Sequence, residues 1–392
     1  MRRLISVVSA VLLLSIGGLS FAQDRGIATA IDWSPDGDTI AVVSSTGLWL
    51  FDTDFNEVGF VDIGLTEWWH WPASLEWNAA GNLLAVGYPR DRYPGISEIQ
   101  IIDVDKLEVI TEISLGYLDE WLWTEVAWHP SDNHIAAGGY WGKSIVLDAL
   151  SGMPVFQFEP SDWPEEAPPN TTIAVCWFTE SVIAFMHKKE TFVVDVELKK
   201  TLYSFETYLW LPPDCHKDYK ILNHRGYLVD AKTGAYVDAF EDIAIDPADI
   251  VIPLERDDWE PTQYFEFSPD RSRILRAAQG CRLRLYDGHN GNLLAKFPGG
   301  IFLVEDFGAT IFRDSLAWRA DGSQFAAVGQ FGGIRVWDAE TYKLLRRYDG
   351  FEVSFPALSE SLLGELNEQE LKLIDSLKNR CIKALNSELP EG

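Results

Sequence analysis

From about residue 27 to residue 348 the chain alternates short apolar runs with clusters of turn residues. One phrase recurs: an apolar residue, any residue, an aromatic, a turn, and a second apolar run. It is seen in Ile31-Asp-Trp33-Ser-Pro-Asp-Gly, followed by Thr-Ile-Ala-Val-Val, and in Leu75-Glu-Trp77-Asn-Ala-Ala-Gly, followed by Leu-Leu-Ala-Val-Gly. Further copies end on Trp128, Trp177, Phe267 and Trp318, at spacings of 44, 51, 49, 90 and 51. An internal period of this size points to a repeat architecture. The interval of 90 is close to two periods and predicts one copy whose aromatic has been replaced.

A second mark repeats independently. Apolar runs close on Asp52, Asp103, Asp148, Asp195, Asp230, Asp287 and Asp338, spaced 51, 45, 47, 35, 57 and 51. Asp230 falls inside the long gap, so the count is seven units. In the last unit the apolar runs are Ser315–Trp318, Gln324–Val328, Ile334–Trp337 and Lys343–Tyr348. Short β-rich runs joined by such turns predict a four-stranded antiparallel meander. One meander cannot cover both of its faces, whereas seven set radially bury each against its neighbours. Asp at these turns is expected to accept backbone N–H bonds. Pairs such as Asp52/Asp54 and Asp103/Asp105 also allow a calcium reading, but no Asp-x-Asp-x-Asp-Gly loop with a distal Glu follows.

On Ile334-Arg-Val-Trp337-Asp338 and the turns Asp-Ala-Leu-Ser-Gly (148–152) and Asp-Ala-Lys-Thr-Gly (230–234), the chain resembles the WD-repeat class. The likeness is to the broad bacterial, exported branch of that class. It implies an all-β fold, a seven-bladed β-propeller, over residues 23–350. The Gly-His dipeptide of standard repeats is absent and only one Trp-Asp occurs, so the hydrogen-bonded Asp-His-Ser-Trp arrangement of that family is not carried over.

Residues 1–22 have the form of a secretory signal. Arg2-Arg3 precede an apolar run from Leu4 to about Ile16, and Gly-Gly-Leu-Ser-Phe-Ala offers a cleavage site after Ala22. An uncleaved membrane anchor is the alternative. With cleavage, the expected location is secreted, periplasmic or cell-surface, with no membrane span remaining. After Gly350 the pattern turns helical. Asn367 and Glu370 form a capping-box variant, and Leu371, Ile374, Leu377, Cys381 and Leu385 make one apolar stripe. Residues 351–392 are therefore a helical extension, docked on the propeller or used for dimerisation or a partner.

Charge narrows the partners. Lys and Arg total 32 against 60 Asp and Glu, a formal charge of -28, which argues against nucleic acid and anionic lipid. Export permits disulfides, yet four cysteines do not make a disulfide scaffold and no Cys-x-x-Cys occurs. Cys176, within Val175-Cys176-Trp177, reads as a small buried hydrophobe. Cys215 is placed in a connection between the first and second strands of its unit and Cys281 between second and third, at opposite ends. These two are expected not to bond.

Segments between units and second-to-third strand loops share one face of a propeller, here the top. They hold Trp68, Trp69, Trp71, Tyr93, Trp121, Trp123, Trp141 and Trp259, beside Asp119, Glu120, Asp257 and Asp258. These residues either wedge between blades with the acids solvated, or form an aromatic, acidic recognition surface for a peptide, protein or glycan. Three inner strands carry an acid just before the marker aromatic: Asp32, Glu76 and Glu266. Either these acids pair with Arg or backbone donors, or they make a channel ring for a cation or acid–base chemistry. A hydrolase or lyase using them is the enzymatic alternative. There is no Gly-x-Ser-x-Gly elbow, no His-Glu-x-x-His and no cofactor motif, so no metal site or cofactor is assigned.

Overall fold

The computed structural model describes residues 25–64, 74–90, 95–118, 125–131, 133–138, 144–158, 172–187, 190–206, 214–216, 220–222, 227–239, 263–278, 282–298, 315–329, 333–351 and 379. They form seven four-stranded antiparallel sheets. Sheet one is β1 (Ala28–Trp33), β2 (Thr39–Ser44), β3 (Gly47–Asp52) and β4 (Glu57–Val61). Sheet two is β5 (Ser74–Trp77), β6 (Leu83–Arg90), β7 (Gly95–Asp103) and β8 (Glu108–Leu118). Sheet three is β9 (Glu125–Trp128), β10 (His134–Gly138), β11 (Ser144–Asp148) and β12 (Pro154–Phe158). Sheet four is β13 (Thr172–Trp177), β14 (Val182–His187), β15 (Glu190–Asp195) and β16 (Lys200–Glu206). Sheet five is β17 (Asp214–His216), β18 (Lys220–Leu222), β19 (Tyr227–Asp230) and β20 (Tyr236–Ala239). Sheet six is β21 (Gln263–Phe267), β22 (Arg273–Ala278), β23 (Arg282–Asp287) and β24 (Leu293–Pro298). Sheet seven is β25 (Leu316–Trp318), β26 (Gln324–Ala327), β27 (Ile334–Asp338) and β28 (Leu344–Tyr348).

Burial explains why the middle strands are apolar on both faces. Along β14 every residue is buried, whereas the fourth strand of the same sheet, β16, is exposed or half-buried throughout. The core is divided into slabs between consecutive sheets. One slab joins Leu48 and Leu50 of sheet one to Leu75 and Leu84 of sheet two. Another joins Leu283 and Phe297 of sheet six to Leu316 and Phe325 of sheet seven. The marker aromatics sit in these slabs: Trp77 packs with sheet one, Trp128 with sheet two and Trp318 with sheet six. Each faces the sheet before its own.

The seven turn aspartates do what turn chemistry requires. Asp52 accepts from the N–H of Asp54 and Asn56 at 2.9 and 2.8 Å. Asp103 accepts from Lys106, Asp148 from Ser151, Asp195 from Leu198, Asp230 from Lys232, Asp287 from His289 and Asp338 from Thr341. Hydrogen bonds from Ser151 hold the Asp148 carboxyl below the usual carboxylate range, and those from Thr341 do the same for Asp338. Four residues after most of these aspartates the backbone turns left-handed. Gly152, Gly234 and Gly291 fill that position in three units, while Leu107, Lys199 and Tyr342 take positive φ in others.

The ring closes without an exchanged strand. Sheet seven is completed by its own β28, and β1 is the innermost strand of sheet one. Sheets seven and one meet face to face through Ala317, Val328 and Ile334 against Trp33, Ile40 and Trp49. At the rim Tyr348 packs on Phe51 and Phe55 with ring centroids 4.9 and 5.7 Å apart. The Arg346 guanidinium donates to the Thr53 carbonyl across the same seam. Arg25 lies 4.8 Å over Trp49 and 5.8 Å from Tyr348, and pairs with Glu57 at 2.5 Å.

Two cysteine expectations are overturned. Cys176 is not an inert buried hydrophobe: it is half-buried and disulfide-bonded. Alternation along β13 told which face its side chain takes, but not that a second thiol stands opposite. Cys215 lies in the first strand of its sheet, β17, and not in the connection that follows. Its flanks lack the apolar run that marks the other inner strands, which shifted the expected strand off it. The 1–22 leader lies outside the described residues, as does the helical extension but for Phe351 and Asn379. Among the described residues no helix is long and apolar enough to cross a membrane.

Candidate functional site

The residue before each marker aromatic faces the following sheet, because alternation turns it away from the marker. In sheet one this residue is Asp32. Its Oδ1 accepts from the N–H of Trp33 at 2.7 Å and its Oδ2 from the N–H of Trp77 in the next sheet at 3.1 Å. In sheet two it is Glu76, whose Oε2 accepts from the N–H of Trp128 at 2.8 Å. The indoles bind in the opposite sense. Trp128 Nε1 donates to the Glu76 carbonyl at 2.8 Å, Trp177 Nε1 to Ala127 at 3.1 Å and Trp318 Nε1 to Glu266 at 3.4 Å. Trp77, Trp128, Trp177 and Trp318 are thus each clasped to the residue one position before the marker of the preceding sheet. Of the two readings of the inner acids, this is the structural one for Asp32 and Glu76: both Asp32 oxygens and Oε2 of Glu76 accept from backbone donors. A carboxylate held this way ties one sheet to the next.

Near the opposite ends of the strands lies a pair that no local spacing announced. Ser144 Oγ and His187 Nε2 are 3.2 Å apart, 43 residues distant in sequence, and both side chains are fully buried. The pairing looks like a nucleophile and its base, but the electrostatics contradict that. Burial pulls the imidazole pKa down to about 4, so it is a feeble base, and no solvent or substrate reaches it. The pair is a hydrogen bond between sheets three and four.

A groove of about 480 Å³ runs along the outer strands of sheets one and two. Its walls are Phe60, Val61, Ile63, Leu107 and Val109, and its polar groups are Asp62, Tyr88, Gln100, Glu108 and Glu112. Gln100 Nε2 donates to Glu112 Oε1 at 3.3 Å, and the Tyr88 hydroxyl lies 3.3 Å from the Ile63 carbonyl and 3.4 Å from Glu98. Asp62, Glu108 and Glu112 bring three carboxylates to the groove, Glu108 lying 3.9 Å from the Lys106 ammonium. Among the described residues no cluster of His, Cys, Asp and Glu is arranged to hold a metal ion.

The aromatic and acidic residues placed on the top face all lie outside the described residues: Trp68, Trp69, Trp71, Tyr93, Trp121, Trp123, Trp141, Trp259, Asp119, Glu120, Asp257 and Asp258. What the structure describes is the framework from which they depart. The segments carrying Trp68–Trp71 and Trp121–Trp123 lead into β5 and β9, and the loop carrying Trp141 leaves β10.

No protein-family model matches the sequence, and no curated protein matches it. Solved structures do share the fold. The β-propeller domain of Cps50 (Swd1) from Myceliophteria thermophila superposes with a TM-score of 0.57 at 14% identity, covering 80% of this chain and 97% of that one. A chain of the mitotic checkpoint complex gives 0.55 at 13%, covering 81% and 91%. The C-terminal WD40 domain of Sif2 gives 0.50 at 12%, covering 78% and 95%. These likenesses establish a WD40-type β-propeller architecture and nothing about ligand.

Proposed function

We propose that this chain is an exported, seven-bladed propeller that works as a non-catalytic binding scaffold, recognising a peptide, a protein loop or a glycan on its aromatic, acidic top face. The observation carrying this reading is the clasp of Asp32 and Glu76 to the next sheet's backbone, which gives two of the three inner acids a structural role. The buried, neutral His187 makes the Ser144–His187 pair a structural hydrogen bond as well. Loops grafted on a rigid scaffold are the usual place for a binding function. Two of the similar structures come from named assemblies or propeller domains, which favours a protein partner without identifying one. The formal charge of -28 favours neutral or cationic partners, with association that weakens in salt.

The test is to screen the chain without residues 1–22 against peptide and glycan arrays, then compare Trp69→Ala, Trp121→Ala and Trp77→Ala in binding and thermal melting. Trp77 is a core wedge, 6% exposed, and should cost stability. The other two should cost affinity, about 2 kcal/mol for an anchor, with little loss of fold. If all three melt equally early, those tryptophans are core and the binding face is refuted.

A further inference from the structure

Cys176 is disulfide-bonded, and the strand register identifies its partner. In sheet four, Val182 pairs with Asp195 and Ile183 with Trp177, so the marker aromatic sits one step in from the turn aspartate. In sheet five, Lys220 pairs with Asp230 and Ile221 with Cys215. By the same count Cys215 stands at the marker position of sheet five. It is the replaced aromatic implied by the interval of 90 residues.

Position then dictates which way the two cysteines face. Markers face the preceding sheet and the residues before them face the following one, as the Asp32–Trp77 and Glu76–Trp128 clasps display. Cys176 precedes the marker Trp177 and packs against the slab between sheets four and five. Cys215 pairs directly with Ile221, and cross-strand partners lie on one face of a sheet. Ile221 belongs to that same slab, beside Ala184 and Met186 of sheet four. Both register positions therefore belong to one seam. Cys281 is flanked by Ala278 and Arg282 of sheet six, two sheets away, and Cys381 follows the last sheet.

We propose that Cys176 and Cys215 form a disulfide that staples sheets four and five where four other seams use an acid or indole clasp. Two thiols lose two protons and two electrons to a disulfide oxidant, which leaves as two thiols while one S–S bond forms. Such oxidation belongs to an oxidising compartment. Sheet five has the shortest inner strands, three residues each in β17 and β18, so its seam has the least strand to hold it. The staple makes that seam the redox-sensitive one of the ring. The inference stands independently of the top-face binding reading.

The test is non-reducing peptide mapping of the full chain, secreted by an expression host and alkylated in denaturant before digestion. A linked pair of peptides containing Cys176 and Cys215 is expected. A Cys176 peptide linked to Cys281 or Cys381, or recovered alkylated, overturns the proposal. Cys176→Ser should expose one extra alkylatable thiol at Cys215, and Cys215→Ser one at Cys176. Dithiothreitol should lower the melting temperature of the parent chain and leave that of the double Ser variant unchanged. An equal drop in both would deny the seam its staple. If the variants do not fold, the mapping of the parent chain still decides.

Discussion

Trp128 is fastened to Glu76 at two points, its backbone N–H reaching Oε2 and its indole Nε1 reaching the carbonyl, each at 2.8 Å. The two residues are 52 apart in sequence and belong to neighbouring sheets, so the bond pair fixes the tilt of one blade on the next. Removing the carboxylate would leave the Trp128 N–H without its acceptor. Glu76→Ala should therefore cost about 2 kcal/mol, the range of a hydrogen bond to a charged group. Glu76→Gln keeps an acceptor oxygen and should cost less than half of that. Urea unfolding midpoints of the two variants check this; equal losses would mean that side-chain packing, not the bond, is what matters.

What could be foreseen from the sequence follows the same logic. Marker aromatics and turn aspartates were legible because each recurs wherever the same local task recurs, and a strand's alternation reports its two faces. The partner across a seam was not legible, since it is set by how sheets stack. The acids at Asp32 and Glu76 could be assigned a side but not a donor, and Cys176 a face but not a bond. Ser144 and His187 escaped entirely, because nothing local links residues brought together from two sheets. The top-face residues rest on topology alone, and the described framework gives only the strands that lead into them.

Closure of the ring depends on side chains, which makes it measurable. Tyr348 touches Phe51 and Phe55 of sheet one and stacks edge-on to Phe351, at 5.8 Å. Tyr348→Ala should cost about 2–3 kcal/mol, the lower part of the range for aromatic truncation because the ring is only half-buried. Arg25→Ala should cost about 1 kcal/mol through the lost contact over Trp49. Calorimetry should give a double variant less destabilised than the sum, as both act on one seam. Strict additivity would separate Arg25 from the closure.

Lys199 offers a gain in stability. It occupies the left-handed position of its turn at φ 51°, where Gly152, Gly234 and Gly291 stand in other sheets. Its side chain is exposed, so little packing is lost on truncation. Lys199→Gly should stabilise by about 0.5–1 kcal/mol, the relief of left-handed strain less the added freedom of glycine when unfolded. Lys199→Ala keeps the strain and should bring no gain. A destabilised glycine variant in chemical denaturation would refute the assignment.

Acid should find His187 before it finds the carboxylates. Burial holds this imidazole at about 4 against 6.5 for the free side chain, the direction that favours the neutral form in the fold. Above pH 6.5 neither state binds the proton, and the group leaves stability unchanged. Between about 6.5 and 4 the unfolded chain takes up a proton that the folded chain refuses, so stability falls with pH. The loss levels off below about 4, at roughly 3 kcal/mol if the shift is fully expressed. The turn aspartates act lower: Asp148 and Asp338 are held below the ordinary carboxylate value of 3.8, so their contribution survives until the pH passes beneath it. His187→Gln preserves a polar partner for Ser144 and removes the titration. Stability measured from pH 7.5 to 4 should then decline less steeply in the variant than in the parent, with the gap widening below pH 6.5. Parallel curves over that interval would show that His187 titrates normally and that the pocket around it admits water.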